Sequence, residues 1–379
     1  MTSPSMSSII RRVVPAGITA ALLLTGCERP PVVAVQHGYR GTAMVEVYHP
    51  ATLEADAANN QPPAPSPVAS PDGPKASAIY QNVKVLGDLS VGQFAGLMVD
   101  ITNWVAPAQG CTYCHAGGNF ADDTLYTKVV ARKMLQMTQR INNDWKSHVQ
   151  NVGVTCYTCH RGNNVPTNIW FRSVDAGNGR GMLGWKDGQD APSQQVAYAS
   201  LPNDPFSRYL EGAAEIRVNS VTALPEGPAN ASIKNAEGTY GLMMHMSTSL
   251  GVNCTYCHNT RGFASWELST PQRNTAWYGI RMARELNVQY LDSLAGVFPD
   301  YRLGPTGDVP KLNCATCHQG AFKPLYGADI LQGHPGLIAP KEVGASVTEA
   351  APGLPALPAP AATVSDAAPV TSAPTPAPG

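Results

Sequence analysis

The sequence predicts a mainly α-helical protein with extensive irregular loops, built from two related halves. Three observations predict it. Apolar side chains recur every three or four residues along several segments, which is the spacing of one helix face. Between these segments, 35 glycines and 33 prolines interrupt a chain of 379 residues. A short motif and the helix before it occur in both halves, which indicates an internal repeat.

The repeated motif is the pentapeptide Cys-x-x-Cys-His, which occurs four times. Two such cysteines can reach two vinyl groups on one porphyrin edge, and the next histidine can lie under the iron, so the motif predicts c-type haem. A single Cys-x-x-Cys also marks zinc and dithiol sites. Zinc would pair these units into four-sulfur cages and would not need a histidine after each. The predicted attachment cysteines are Cys111, Cys114, Cys156, Cys159, Cys254, Cys257, Cys314 and Cys317, and the predicted proximal ligands are His115, His160, His258 and His318.

Eight of the nine cysteines belong to these motifs, so the sequence predicts no disulfide. The charge balance excludes another class of partner. Only 14% of residues are charged and the formal net charge is −1, which implies no general affinity for nucleic acid or acidic membranes.

Residues 1–26 are predicted to be a lipoprotein signal peptide. Arg11 and Arg12 precede the apolar run 16–24, which is too short to span a bilayer as a helix. The run leads into Leu-Thr-Gly-Cys, which resembles the bacterial lipoprotein cleavage box and ends at Cys27, the predicted lipidation site. An uncleaved anchor or an ordinary free cysteine is the alternative. Because c-type haem is attached outside the bacterial cytoplasm, we expect a periplasmic protein held to the membrane by lipid, without a transmembrane helix.

Residues 27–87 are predicted to be an N-terminal arm and linker. The stretch 28–50 has a mixed composition that would suit an arm laid over a partner. The stretch 51–75 is rich in Ala, Pro and Asn, which predicts a linker or surface loop.

Residues 88–162 are predicted to form the first dihaem unit. Ser90 can cap a helix that runs to about Trp104 and ends before the first motif. Asp122 or Asp123 can cap a longer helix, which precedes the second motif. The apolar stripe of that helix is Val130, Met134, Met137, Ile141 and Trp145, and His148 continues it.

Residues 236–330 are predicted to form a second dihaem unit that repeats the first. Tyr240-Gly-Leu-Met243 resembles the segment that ends at Met98, and Thr270-Pro271 starts a second long helix. We therefore expect two dihaem units related by a pseudo-twofold axis, with each haem on a helix–turn–CxxCH element. Residues 163–235 are predicted to be an irregular connection with one short helix near 205–217. Residues 331–379 are Pro- and Ala-rich and are predicted to be a disordered tail.

Each iron needs a second axial ligand or an open position, and Met and His outside the motifs are the candidates. Met98 and Met243 occupy matching places before their motifs, which favours ligation over simple core packing. Met244, His245 and Met246 compete with Met243, but only Met243 aligns with Met98.

Met134 and His148 lie fourteen residues apart, which is about 21 Å along a continuous helix at 1.5 Å per residue. They would therefore serve two different irons. Met137 competes with Met134, and Met282 competes with His148. The remaining histidines, His37, His49 and His334, are expected to be solvated.

With the four motifs, the lipoprotein box and these candidates, residues 27–330 resemble the tetrahaem cytochrome c subunits of purple-bacterial photosynthetic reaction centres. The number of motifs, the wide gap between the second and third, and the ligand spacing carry the resemblance. It implies three Met/His haems and one bis-His haem. The bis-His haem is attached to the fourth motif, and its second ligand comes from the first repeat. The implied axial pairs are Met98 with His115, Met134 with His160, Met243 with His258, and His148 with His318.

The resemblance also implies an electron-transfer subunit rather than an enzyme, with four covalently bound haems c. Such a subunit lies on the periplasmic face of the L and M subunits, at the inner or intracytoplasmic photosynthetic membrane. It re-reduces the photo-oxidised bacteriochlorophyll special pair and is refilled by a soluble cytochrome c or high-potential iron–sulfur protein. Thioether sulfur favours reduced iron, so the Met-ligated haems are predicted to have higher potentials than the bis-His haem. Arg161, Arg261 and Arg273 either act on haem propionates and potentials or lie in solvent.

Two other functions fit a multihaem periplasmic chain. A reductase would need an iron with an open position and nearby acid–base groups, and carbon monoxide binding to the reduced protein would indicate it. A free-standing lipoprotein shuttle would show no flash-induced haem oxidation in membranes with active reaction centres.

Overall fold

The computed structural model describes residues 31–36, 45–173, 193–202, 204–218 and 233–338. The predictions for the signal peptide, Cys27, His37 and the tail beyond residue 338 lie outside these ranges. The described residues fall in one compact unit. They are mainly helical with long irregular connections, as the sequence predicts.

Nine α-helices lie within the described ranges: α1 (Pro50–Asn59), α2 (Ala76–Ile79), α3 (Val91–Val105), α4 (Tyr126–Asp144), α5 (Lys146–Val149), α6 (Cys156–His160), α7 (Ile233–Leu250), α8 (Pro271–Glu285) and α9 (Cys314–His318). Seven 3₁₀ turns supplement them at Gly110–Tyr113, Gln194–Val196, Cys254–Tyr256, Asp292–Leu294, Asp300–Arg302, Pro324–Gly327 and Pro335–Leu337. Two segments, Ser207–Glu211 and Leu286–Leu291, form π-helical turns. None of the helices in these ranges combines the length and apolar character needed to span a bilayer.

The N-terminal arm begins as a two-stranded ribbon of β1 (Val33–Gln36) and antiparallel β2 (Val45–Tyr48). The ribbon is attached to the second half of the chain through Glu46. This side chain is buried, and its carboxylate accepts a hydrogen bond from the backbone nitrogen of Asn253 at 2.7 Å, next to the third motif.

The predicted linker at 51–75 differs from the structure, because α1 covers its first part. Pro50 lies in the first turn of α1, where a missing N–H costs nothing, and most of the helix is alanine or another good helix former. The ring of His49 accepts a hydrogen bond from the backbone nitrogen of Ala51 at 3.2 Å, so this histidine caps the helix.

Helix α3 begins as predicted, and α4 does not. Ser90 and Gln93 form a reciprocal capping box at the start of α3. Helix α4 follows Leu125, which makes no side-chain cap. The carboxylate of Asp122 instead accepts a hydrogen bond from the backbone nitrogen of Thr124, and that of Asp123 pairs with Arg132 at 2.7 Å. The two aspartates therefore hold the loop before the helix.

The stripe from Met134 to His148 does not lie on one continuous helix. Helix α4 ends at Asp144, and Trp145 has φ −104° and ψ 29°, outside the helical region. His148 consequently lies on the separate short helix α5. The continuous helix from which the 21 Å separation was calculated is therefore not present.

The two halves pack in the same way around the motifs. Helix α3 packs on α6, which carries the second motif, and α7 packs on α9, which carries the fourth. Helices α6 and α9 also contact each other, as do α5 and α8.

A larger core cluster includes Trp170, Leu242 and Ile280, and a smaller one includes Leu97 and Trp104. Strand β3 (Ile169–Trp170) of the connecting segment pairs antiparallel with β4 (Lys311–Leu312) of the second half. The π-helical turn Ser207–Glu211 lies where the sequence predicts a short helix.

The start of the predicted tail is part of this packing. Leu331 and Leu337 are buried in the smaller cluster, and the side chain of Asn142 donates to the carbonyl of Leu337 at 2.8 Å. His334 is not solvated, because its Nε2 lies 2.9 Å from a carboxylate oxygen of buried Asp100 and its ring packs on Trp104. Residues 331–338 are therefore ordered by α3 and α4.

Candidate haem-binding site

The first and third motifs have the same local geometry. Each contains a 3₁₀ turn, and each histidine bonds the backbone carbonyl five residues further on. The Nδ1 of His115 lies 3.0 Å from the oxygen of Phe120, and that of His258 lies 2.9 Å from the oxygen of Phe263. A carbonyl only accepts, so Nδ1 carries the proton and Nε2 keeps its lone pair for a metal.

The second and fourth motifs share a different geometry. Helices α6 and α9 are each one turn long, and each ends at a residue with positive φ, Arg161 or Gln319. At the start of each helix, a threonine hydroxyl accepts a hydrogen bond from the backbone nitrogen three residues earlier. His160 Nδ1 lies 2.9 Å from the oxygen of Asn163, and His318 Nδ1 lies 2.9 Å from that of Ala321. In all four motifs, a backbone carbonyl therefore orients the histidine ring so that its Nε2 is available to a metal.

The two one-turn helices exchange hydrogen bonds. The guanidinium of Arg161 donates to the carbonyl of Cys317 at 3.3 Å, and the amide of Gln319 donates to the carbonyl of Cys159 at 3.5 Å. A reciprocal contact of this kind is typical of two elements related by an approximate twofold axis.

Cys159 and Cys317 form a disulfide in the structure, which the sequence does not predict. The reason is tertiary: packing of α6 on α9 brings their Cα atoms to 4.4 Å, at the short end of the range that a disulfide spans. A sulfur atom cannot hold a disulfide and a thioether together. At these two positions the disulfide and haem attachment exclude each other.

His148 and His318 come together from different halves of the chain. Their ring centroids are 6.0 Å apart, with an angle of 67° between the ring planes. An imidazole nitrogen binds a metal at about 2 Å, so two rings facing one ion have centroids about 6 Å apart. The Nδ1 of His148 lies 2.9 Å from the carbonyl oxygen of Thr275, which leaves its Nε2 free as well. This pair fits the two axial positions of one iron.

A glycine makes room for His148. A Cβ added at Gly279 on α8 would lie 2.5 Å from Cε1 of His148, closer than side chains pack. The sequence analysis missed Gly279. A glycine within a predicted helix is the signal that could have found it.

Burial favours the neutral forms of several candidate ligands and attachment cysteines. It lowers the pKa of His148, and it lowers that of His318 to about 4, with the neighbouring His148 adding to the effect. Burial also raises the pKa of the Cys156 and Cys314 thiols to about 12. Neither thiol therefore has the lowered pKa that is typical of a dithiol redox centre.

The candidate methionines lie at the edges of the core. Met98 packs against the smaller cluster, and Met134 and Met243 pack against the larger one. Met137 and Met282 pack against the larger cluster as well. Core packing therefore does not decide between Met134 and Met137.

Two of the three competitors of Met243, Met246 and His245, are engaged elsewhere. Met246 is buried in the core, and the Nε2 of His245 lies 3.1 Å from the hydroxyl of Ser249. The same ring donates to the backbone carbonyl of Gln195, and burial lowers its pKa to about 4.

Two of the three arginines singled out in the sequence have protein partners. Arg161 donates to Asn59, Asn60 and Cys317, and burial lowers its pKa to about 10. The guanidinium of Arg273 donates to the carbonyl of Ser265 at 2.7 Å and covers the ring of Trp266. Both guanidinium groups thus hold the fold together and do not lie in open solvent.

A sequence profile of the photosynthetic reaction centre cytochrome C subunit family matches residues 28–338 of this chain. The chain belongs to this family. It is therefore a c-type cytochrome of photosynthetic electron transport that binds haem c covalently. As a reaction centre subunit it is associated with the photosynthetic membrane.

Relatives support the assignment over most of the chain. The photosynthetic reaction center cytochrome c subunit of Rubrivivax gelatinosus is 57% identical over 320 residues, covering 84% of this chain and 87% of the relative. The subunit of Thermochromatium tepidum is 49% identical over 320 residues, covering 84% and 78%. Cytochrome c-554 of Chloroflexus aurantiacus is 26% identical over 318 residues, covering 68% and 73%.

Proposed function

We propose that this subunit holds four haems c in two dihaem units and relays electrons from a soluble periplasmic donor to the photo-oxidised special pair. The observation that carries the proposal is the convergence of His148 and His318. A ligand from the first half of the chain faces the proximal histidine of the last motif at the spacing of a bis-His iron. Ligation from both sides suits an electron carrier, because it leaves no iron position for a substrate.

The other axial pairs are Met98 with His115, Met134 with His160, and Met243 with His258. The shared geometry of the first and third motifs, and of the second and fourth, supports two dihaem units. Haem c supplies reversible one-electron chemistry when bound. The chain orients the four imidazoles through backbone carbonyls, and burial lowers the pKa of His160, His258 and His318.

All eight motif cysteines carry thioether bonds in this proposal, including Cys159 and Cys317. Each thiol adds across one vinyl group of the porphyrin, so a cysteine held in a disulfide is unavailable. The same Cys-x-x-Cys-His pattern at all four sites supports attachment at each. Intact-mass analysis of the denatured protein tests it: we expect four attached haems and no alkylatable thiol in the motifs. Protein isolated from native membranes that retains a Cys159–Cys317 disulfide contradicts this part of the proposal.

The partners are the L and M subunits and a soluble cytochrome c or high-potential iron–sulfur protein. The subunit lies on the periplasmic face of the membrane, anchored by acyl chains on Cys27. The lipoprotein box and the family assignment support this arrangement.

Redox-poised flash spectroscopy on native membranes tests the function. With the haems reduced, a flash is expected to oxidise haem as the special pair is re-reduced, and the native reduced protein is expected to bind no carbon monoxide. Flash-oxidised special pairs that recover without any haem oxidation would instead support a free-standing shuttle. Carbon monoxide binding to the native protein would support a reductase.

A further inference from the structure

A buried ammonium group lies behind the first proximal histidine. Lys128, in the first turn of α4, is 7% exposed. Its Nζ donates to the carbonyl of Phe120 and to that of Asp122, both at 2.7 Å. A lysine is rarely buried without a specific set of acceptors.

One of these acceptors is shared with the candidate ligand. The oxygen of Phe120 also accepts from Nδ1 of His115, at 3.0 Å. A carbonyl has two lone pairs and can serve both donors. Lys128 is thereby linked to the imidazole through a single oxygen atom.

We propose that Lys128 is a positioning residue that raises the reduction potential of the first haem by acting on the carbonyl that holds His115. The inference rests on the proposed ligation by His115. A charge-assisted hydrogen bond withdraws electron density from the oxygen, which then accepts more weakly from Nδ1–H. The imidazole becomes a poorer donor to iron, and the oxidised state is less stabilised. The buried positive charge acts in the same direction, because it repels the more positive oxidised iron.

The carboxylates around Lys128 do not cancel this charge. Asp123 lies 3.2 Å from its Nζ, and it is shared with Arg132 at 2.7 Å and with Lys84 at 3.5 Å. The carboxylate of Asp122 accepts from the backbone nitrogen of Thr124. Three cations thus share the one carboxylate of Asp123, which therefore does not neutralise Lys128 by itself. Asp123 stays ionised at neutral pH because the hydrogen bond from Arg132 lowers its pKa.

The second repeat arranges its cation differently. His258 donates to the carbonyl of Phe263, while the guanidinium of Arg273 donates to the carbonyls of Ser265 and Ala264, beyond Phe263. Arg273 and His258 thus donate to different carbonyls, whereas Lys128 and His115 donate to the same carbonyl. The inference is therefore specific to the first haem.

Redox titration of the haem α-band in purified reaction centre complexes tests the inference. Met98→His identifies the component of the first haem, because replacing Met by His lowers the potential of that haem. Lys128→Met is expected to shift the reduction equilibrium of the same component three- to tenfold, a decrease of about 28 to 59 mV at 59 mV per tenfold change. Lys128→Arg, which keeps the charge, is expected to retain most of the native potential.

Lys84→Met is the matched control. It removes the same charge beside the same carboxylate, but the side chain of Lys84 is 62% exposed, so solvent screens it. We expect less than about a 1.5-fold shift, since exposed charges of this kind contribute little.

A Lys128→Met complex with four haems and an unchanged first component overturns the inference and leaves the proposed function intact. An equal shift in Lys84→Met also overturns it. If Lys128→Met does not assemble, Lys128→Gln and Lys128→Arg are compared, and equal potentials in these two variants overturn it. Failure of the proposed ligation is distinguishable, because Met98→His would then lower no component.

Discussion

The two halves of the chain share the surroundings of their motifs and differ after the long helix. In the first half, α4 ends at Asp144 and the chain re-forms a short helix with His148. In the second half, α8 passes directly into the π-helical turn Leu286–Leu291. The first half therefore offers a histidine that reaches His318, while the second offers no matching ligand at this point. A duplicated frame can thus be joined by one ligand that crosses between its copies.

A second difference lies where the halves meet. Arg161 and Gln319 occupy the same left-handed position at the ends of α6 and α9. Each reaches the carbonyl of the other motif's second cysteine. Both also bond the end of α1, because the guanidinium of Arg161 donates to the carbonyl of Asn59, whereas the carbonyl of Gln319 accepts from the side chain of Asn60 at 3.0 Å. The N-terminal arm is therefore attached to both motif helices, through a charged side-chain donor in the first half and a backbone acceptor in the second.

Removing the crossing ligand is expected to have the largest effect. His148→Leu leaves one iron with an open position, so the reduced variant should bind carbon monoxide at one haem of the four, as its difference spectrum would record. The matched variant Met282→Leu removes the competing candidate and should bind none. Carbon monoxide binding in Met282→Leu but not in His148→Leu would reverse the assignment.

Variants of Met134 and Met137 test which methionine of α4 is the ligand of the second haem. Met134→Leu is expected to expose one iron to carbon monoxide, whereas Met137→Leu should change only packing, at a cost below about 1.5 kcal/mol. The carbon monoxide difference spectrum and the urea midpoint separate the two effects. Open coordination in Met137→Leu alone would assign the ligand to Met137.

The space beside His148 is tested by Gly279→Ala. The added methyl group would press on the ring of His148, so we expect a loss of about 1–3 kcal/mol in the free energy of unfolding and an altered spectrum of the bis-His haem. Gly96→Ala on α3 is the control, because a Cβ there meets nothing within 4 Å. It should gain about 0.5–1 kcal/mol from helix propensity. Equal effects at both positions would exclude a role of Gly279 in seating His148.

The smallest expected effect concerns the cap that breaks the symmetry. Arg161→Gln places in the first half the residue that the second half has, and it should cost about 0.5–1.5 kcal/mol because partly buried acceptors lose a donor. Arg172→Gln removes a half-exposed arginine paired with Glu211 and should cost less than about 1 kcal/mol. Urea unfolding measures both variants, and a smaller loss for Arg161→Gln than for Arg172→Gln would contradict the role given to the cap.

The family, the haem chemistry and much of the secondary structure could be predicted from the sequence. Thioether attachment requires two cysteines and a histidine at one spacing, so a short local motif is enough to predict the cofactor. The same holds for α3, whose capping box of Ser90 and Gln93 is a local hydrogen-bond pattern. The break at Trp145 was missed, because the apolar stripe continues through it and periodicity alone reads as one helix.

The sequence by itself determined the four motifs, the family and the internal repeat, since each depends on residues close together in the chain. Only the tertiary structure decided which distant side chains meet. Helix packing brings His148 close to His318, with Gly279 leaving room for the His148 ring. It also places Cys159 beside Cys317 and buries Lys128 next to the carbonyl that holds His115. The physical reason is that these contacts depend on how helices pack, and packing joins residues whose separation along the chain carries no local signal.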